Sequence, residues 1–288
     1  MAVSSYARPE SLVATDWLVT RLDDPDVVIL DASWHMPATK RDAIAEFRAR
    51  HIPGARFFNI DTIANTTVKL PHMAPDEETF ARMVGALGID NHHHAVVYDA
   101  NGGAGAAMRA WWMFRLFGHT RVSVLAGGFG KWLAETRRVE SGETTQSHAA
   151  VFYARIDPRL IRSIEDVRMN IGSGHEQLID VRSAGRFAGT EPEPRAGLRG
   201  GHIPGSTNLP FPVLLDPANH MVPRSAKDIA RAIDQAGIDR NRPIVASCGS
   251  GVTACVLAFA LHLIGDEAAV YDGSWTEWGG RADVPIET

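Results

Sequence analysis

Cysteine is the most nucleophilic side chain available to this chain of 288 residues, which has two, Cys248 and Cys255. Cys248 stands in Ser247-Cys248-Gly249-Ser250-Gly251-Val252-Thr253, between a short apolar run at 243–246 and a longer apolar stretch from Ala254. A Gly-rich turn between a buried strand and a helix N-terminus aims successive backbone N–H groups inward, and with the helix dipole they form an anion cradle. A thiol at the mouth of such a cradle ionises more readily than a free one, and the thiolate is the attacking species. Cys248 therefore reads as a nucleophile, with Gly249, Gly251, Val252 and Thr253 supplying the cradle. Cys255, two turns into the helix, reads as a buried small apolar residue.

A second charged feature lies upstream. Arg186 and Arg195 bracket Arg186-Phe187-Ala188-Gly189-Thr190-Glu191-Pro192-Glu193-Pro194-Arg195, whose Gly and Pro content predicts a loop. A guanidinium fork grips a carboxylate bidentately, and each charge-assisted bond contributes about 1.5–3 kcal/mol. Such a local site is needed for an anionic small molecule, because 29 Lys and Arg against 34 Asp and Glu leave the chain at −5. No basic run interleaved with aromatic residues is present, which argues against a nucleic-acid surface. His92-His93-His94 lacks companions at ligand spacing, so no metal is expected. The Gly102-Gly103-Ala104-Gly105 turn is only weakly like a dinucleotide loop, and its equivalent in the second half of the chain is the Cys248 loop, so no organic cofactor is expected. The longest apolar stretch, 254–264, is too short for a bilayer and is interrupted by His262. With two cysteines and no apolar leader near the N-terminus, the expectation is a soluble cytoplasmic protein.

The elements that position these residues occur twice. His51-Ile52-Pro53-Gly54 returns as His202-Ile203-Pro204-Gly205, and Ile29-Leu30-Asp31-Ala32 as Leu178-Ile179-Asp180-Val181. Leu116-Phe117-Gly118-His119 and Leu263-Ile264-Gly265-Asp266 correspond in the same order, which marks a tandem duplication. Each copy alternates short apolar runs (27–30, 95–98 and 122–125; 177–180, 243–246 and 268–271) with helical stretches such as 106–117. Thr15 is expected to cap a short helix, and Ser163 with Asp166 to open another through a capping box. The pattern predicts an α/β fold of two tandem domains, each a mostly parallel sheet with helices on both faces. The expected boundaries are 1–140 for the first domain, 141–158 for a polar linker and 159–288 for the second.

The Cys248 loop, the paired His-Ile-Pro-Gly motifs and Tyr271-Asp272-Gly273-Ser274-Trp275-Thr276-Glu277-Trp278 resemble the two-domain rhodanese superfamily over nearly the whole chain. Thiosulfate-using members typically place Arg-Lys after the cysteine. Gly249-Ser250 stands there in this chain, similar to the branch that uses 3-mercaptopyruvate. The resemblance implies a sulfurtransferase working through a Cys248 persulfide in the cleft between the domains. The acceptor it implies is a thioredoxin-like protein or a small thiol, and thiosulfate:cyanide transfer is the alternative. By the same resemblance Arg186 and Arg195 match substrate-binding arginines, and Asp61 and His72 match an acid–histidine pair that partners Ser250. The first copy has Asn101 where the second has Cys248, so it cannot do thiol chemistry. A Cys-dependent phosphatase is disfavoured, because that loop needs an arginine six residues after the cysteine and position 254 is Ala.

Overall fold

A computed structural model describes residues 6–100, 105–144 and 148–288. The first half runs β1 (Leu12–Val13), α1 (Thr15–Val19), β2 (Val27–Asp31), α2 (Ala43–Ala49), β3 (Arg56–Phe57), α3 (Glu77–Ala86), β4 (His94–Tyr98), α4 (Ala106–Leu116), β5 (Val122–Leu125) and α5 (Gly128–Ala134). The second runs β6 (Ile161–Arg162), α6 (Ile164–Ser173), β7 (Gln177–Asp180), α7 (Ala184–Phe187), β8 (Thr207–Asn208), β9 (Leu215–Asp216), β10 (Val222–Pro223), α8 (Ala226–Gln235), β11 (Ile244–Ser247), α9 (Ala254–Leu263), β12 (Ala269–Tyr271) and α10 (Ser274–Trp278). Two five-stranded sheets result, ordered β1-β5-β4-β2-β3 and β6-β12-β11-β7-β8, every pair parallel. The two orders are the same under the repeat. The strands read as uninterrupted apolar runs because helices cover both faces, and β5 and β11 are buried at every position.

The recurring His-Ile-Pro-Gly motif is structural in both copies. His51 stacks on Phe47 and turns Nδ1 to the Phe47 carbonyl, as His202 does with Phe187. Each following glycine donates its N–H to a glutamate, Gly54 to Glu140 and Gly205 to Glu287. The capping box at Ser163 forms as expected. Thr15 does not cap: Ala14 holds that position, and Thr15 is the first helical residue, its hydroxyl donating to Glu135. A cap needs its side chain free to turn back on the helix, and Thr15 is engaged elsewhere.

The domains meet along α4 and α9, which carry the same place in each repeat. Trp111 sets its ring edge-on to Phe259 at 4.7 Å and lies 5.0 Å from His262. Truncating so buried an indole costs about 3–5 kcal/mol. Two chain segments cross between the halves. Residues before β1 lie on the second domain, where Ala7 N–H donates to Leu263 at 2.8 Å and Tyr6 Oη to Arg224 at 2.7 Å. Arg8 and Arg115 converge there on Glu267 and His262. Although burial works the other way, hydrogen bonds from His262 and Arg115 bring the Glu267 carboxyl down to about 2.

The segment expected as a polar linker is in part a strap across the first domain. Ala150, Arg155 and Asp157 donate backbone N–H groups to Gly85, Phe117 and Leu116, and Phe152 is 4% exposed among Phe80, Phe114 and His119. Gly85 is what allows the approach, since a Cβ there would lie 2.4 Å from the Ala150 carbonyl oxygen. Gly85→Ala is expected to lower stability by about 1–3 kcal/mol, the usual cost of overpacking, as read from urea unfolding. Unchanged stability would mean that the strap is not held at that distance.

Candidate active site

Register places the carboxyl ends of the central strands side by side. Asp180, last in β7, pairs with Ser247, last in β11, and Cys248 is the next residue. This is the edge at which parallel α/β sheets bind ligands. The loop is held from behind by the start of α10. Cys248 N–H donates to Ser274 Oγ at 3.1 Å, and the Cys248 and Gly249 carbonyls accept from Trp275 and Thr276 N–H at 3.0 and 2.8 Å. Ser274 takes up a left-handed backbone, φ 49°, to do this, and its hydroxyl lies 4.0 Å from the Cys248 sulfur. With those two carbonyls tied away, the N–H groups of residues 249–253 make no hydrogen bond to another backbone group among the described residues. They remain available to an anion.

The crossing point of the loop is Gly251. Its φ is +76°, and a Cβ would lie 2.6 Å from the Asp272 carbonyl oxygen. Its own carbonyl accepts from the Cys255 thiol at 3.3 Å and from Arg109 Nη1 at 3.2 Å. Arg109 comes from α4 of the other domain and is wholly buried. It pairs with Asp272 Oδ1 at 2.7 Å, donates to the His72 carbonyl and lies 4.4 Å over the Trp112 ring. Asp272 in turn accepts the Ala74 N–H at 2.7 Å. Burial opposes the guanidinium charge, but Asp272 and Cys255 together outweigh it and hold the Arg109 pKa above its ordinary value. Burial pushes the Cys255 thiol up to about 12, so that group stays protonated and inert.

Cys248, 1% exposed, lies at the floor of an interdomain cavity of about 680 Å³. Trp34 and Met36 wall it from the first domain, Phe211, Pro212 and Met221 from the second. Arg186 and Arg195 both line it. Arg195 Nη2 lies 3.5 Å from Ser250 Oγ, and burial pushes its pKa down. Arg186 donates to Glu193. In the first domain His72 takes φ +62° and brings Nδ1 within 2.9 Å of Asp61 Oδ1, off the line of the ring N–H. The imidazole beside it holds the Asp61 carboxyl below its ordinary range, and Trp34 Nε1 donates to Asp61 Oδ2 at 3.0 Å.

The rhodanese-like domain model matches this chain twice, over residues 14–135 and 163–281. The chain belongs to the rhodanese-like family. It is 44% identical to the mitochondrial thiosulfate/3-mercaptopyruvate sulfurtransferase 1 of Arabidopsis thaliana, over all of this chain and 80% of that one. It is 46% identical to the thiosulfate sulfurtransferase of Gallus gallus, over 97% and 96%. Among solved structures, SseA of Escherichia coli, described as a 3-mercaptopyruvate sulfotransferase, superposes with a TM-score of 0.83 at 36% identity. That match covers 92% of this chain and 98% of SseA.

Within these rhodanese-like domains, Cys248, Ser250, Arg186 and Arg195 line one cleft, while Asp61 and His72 are not among its lining residues and lie against Trp34, which is. Two further differences from the sequence reading concern Arg186 and His72. Arg186 sits in the four-residue helix α7 rather than in a loop, because Ser183 caps its N-terminus. His72 joins Asp61 but makes no hydrogen bond to Ser250, whose hydroxyl faces Arg195. Asn101 and most of the Gly102-Gly103-Ala104-Gly105 turn lie outside the described residues. Of the triple histidine, His94 opens β4 and meets Ser123 at 2.7 Å, while His93 meets Asp90. Among the described residues no group of three His, Cys, Asp or Glu side chains is arranged to hold a metal, and no helix is long and apolar enough to cross a membrane.

Sequence reading missed Arg109, Arg182 and Ser274. Arg109 lies in the otherwise apolar stretch 105–114, and that lone charge in a helix expected to be buried was the available signal. Removing one partner from a buried ion pair leaves an uncompensated charge, so Arg109→Met is expected to lose about 3–5 kcal/mol. In urea unfolding, Arg109→Met with Asp272→Asn should lose less than the two single changes summed. Strict additivity would show that the pair is not coupled.

Proposed function

We propose that this protein is a sulfurtransferase that moves the sulfur of 3-mercaptopyruvate through a persulfide on Cys248 to a thiol acceptor and releases pyruvate. The observation that carries the reading is a buried cysteine in a loop whose N–H groups make no backbone hydrogen bond among the described residues, beside two arginines that line the same cleft. Catalysis is assigned to the copy at 159–288. The copy at 1–140 walls the cleft and supplies Asp61 and His72, and 141–158 joins them.

In the first step the Cys248 thiolate attacks the donor sulfur. A sulfur–sulfur bond forms, the donor carbon–sulfur bond breaks, and its electron pair remains on carbon as the enolate of pyruvate. Arg186 and Arg195 hold the carboxylate throughout. The enolate takes a proton from the side of Ser250 and His72. His72 Nε2 has no hydrogen-bond partner among the described residues, and catalytic hydrogen bonds commonly tighten only once substrate is present. The outer sulfur then rests against the N–H groups of Gly249, Ser250, Gly251, Val252 and Thr253. In the second step an acceptor thiolate, from a thioredoxin-like protein or a small thiol, attacks that sulfur and returns Cys248 as thiolate. Sulfur itself is the transferred group, so no metal or organic cofactor is needed.

Relatives carry both donor names, and Gly249-Ser250 is what favours 3-mercaptopyruvate. Thiosulfate is a compact dianion that gains from cations next to the nucleophile, and neither residue after Cys248 is charged. The two free thiols suit a reducing compartment, and on that ground the cytoplasm is the assigned location.

Cys248→Ala is expected to abolish pyruvate release from 3-mercaptopyruvate with a dithiol acceptor. Retained turnover would end the persulfide scheme. Compared at matched concentrations, 3-mercaptopyruvate with a dithiol should outperform thiosulfate with cyanide. Arg195→Gly should cut kcat/KM for the former by about tenfold or more, the loss of one charge-assisted bond. A preference for thiosulfate in the unaltered protein would leave the fold and nucleophile in place and reverse the donor assignment.

A further inference from the structure

Four guanidinium groups line the cleft, those of Arg41, Arg182, Arg186 and Arg195. Three of them are held by carboxylates. Arg41 grips Glu46 through Nε at 2.7 Å and Nη2 at 2.6 Å. Arg182, wholly buried 4.3 Å over the Trp275 ring, is bidentate to Asp180 and donates through Nη1 to Glu193 at 2.7 Å. Arg186 donates to the same Glu193 carboxylate through Nε and Nη2. Arg195 has no such partner among the described residues. Its hydrogen bond is the 3.5 Å contact with the Ser250 hydroxyl, and Cys248, Glu193 and Asp61 act on it only at longer range.

Leaving out the Cys248 nucleophile and Asp61, which is not among the lining residues, and counting histidines neutral, four guanidiniums less the carboxylates of Glu46, Asp180 and Glu193 leave one positive charge, and it belongs to Arg195. Glu193 is central to that balance. Its side chain is 3% exposed, behind Arg186 rather than in the cavity, so it acts through the arginine and not on the donor. Arg186 spends Nε and Nη2 on that carboxylate, so Nη1 stays available to a donor while the charge of the guanidinium is offset. In a cavity half closed from water such a balance is felt more strongly than on an open surface.

We infer that Glu193 sets the charge of the sulfur donor that the cleft accepts. With Arg186 offset by Glu193, the single uncompensated cation matches a donor bearing one carboxylate and falls short of what a compact dianion requires. This inference rests on the sulfur-transfer reading above and assigns Glu193 as a specificity-determining residue for it. It discriminates by withholding charge from the wrong donor as much as by binding the right one.

The test is kcat/KM for 3-mercaptopyruvate and for thiosulfate, each measured on the same preparation of the unaltered protein, Glu193→Gln and Glu193→Asp. The ratio of the two donors is independent of how much of a preparation is folded, so a merely structural loss would leave it where it was. Glu193→Gln should raise the thiosulfate to 3-mercaptopyruvate ratio by about tenfold or more, mainly through the KM for thiosulfate, as expected when a repulsive charge is removed. Glu193→Asp, which keeps the charge, should leave the ratio near its original value. An unchanged ratio in Glu193→Gln, or the same rise in Glu193→Asp, would overturn the inference and leave the sulfur-transfer reading standing. If the unaltered protein turned over neither donor, that reading would fall first.

Discussion

One buried guanidinium ties the two halves of this protein together at the reacting centre. Arg109 leaves the first domain through α4 and reaches Asp272 at the end of β12, the Gly251 carbonyl in the nucleophile loop and the His72 carbonyl of its own domain. Everything on the cleft floor is referenced to that group. A charge so enclosed is tolerated because a carboxylate faces it at 2.7 Å, two carbonyl oxygens accept from its Nη atoms and an aromatic face covers it, with Nε alone left without a hydrogen-bond partner among the described residues. The same contacts that satisfy it hold the turn at Gly251, and so determine where the N–H groups around Cys248 point.

The duplication and its later divergence explain the division of labour. Both copies retain the strand order, the stacked histidine and the glycine–glutamate contact, all of which serve folding. The nucleophile loop, the arginine segment and the β9–β10 pair belong to the second copy. The first contributes what a single domain lacks, an opposite wall with Trp34, against which Asp61 and His72 lie. The cleft proposed as the active site is therefore lined by both domains and formed by neither alone.

Much of this was legible in the residues. The strands with uninterrupted apolar runs stand within one residue of their expected limits, because burial on both faces leaves a strong local signature. Cys248 was legible because its glycines mark a turn that few other functions require. The two-residue strands β1, β3, β6 and β8 were not, since so short a pairing is decided by neighbours and not by its own composition. Arg109 escaped for a related reason. A helix with one arginine gives no hint of a partner more than 160 positions away. His72 and Asp61 became neighbours through a left-handed residue in a loop, which spacing alone does not predict.

The two straps described for the fold bear on how this molecule can be divided. The residues before β1 are bound to the second domain, and those before β6 are bound to the first, so each half wears a piece of chain that leads into the other. Cutting between the repeats would strip the apolar face of α9, remove Arg109 from behind the nucleophile and leave both pieces missing an outer layer. Two domains by ancestry, the halves share their outer layers, and the copy proposed to carry catalysis would not come away with its packing intact.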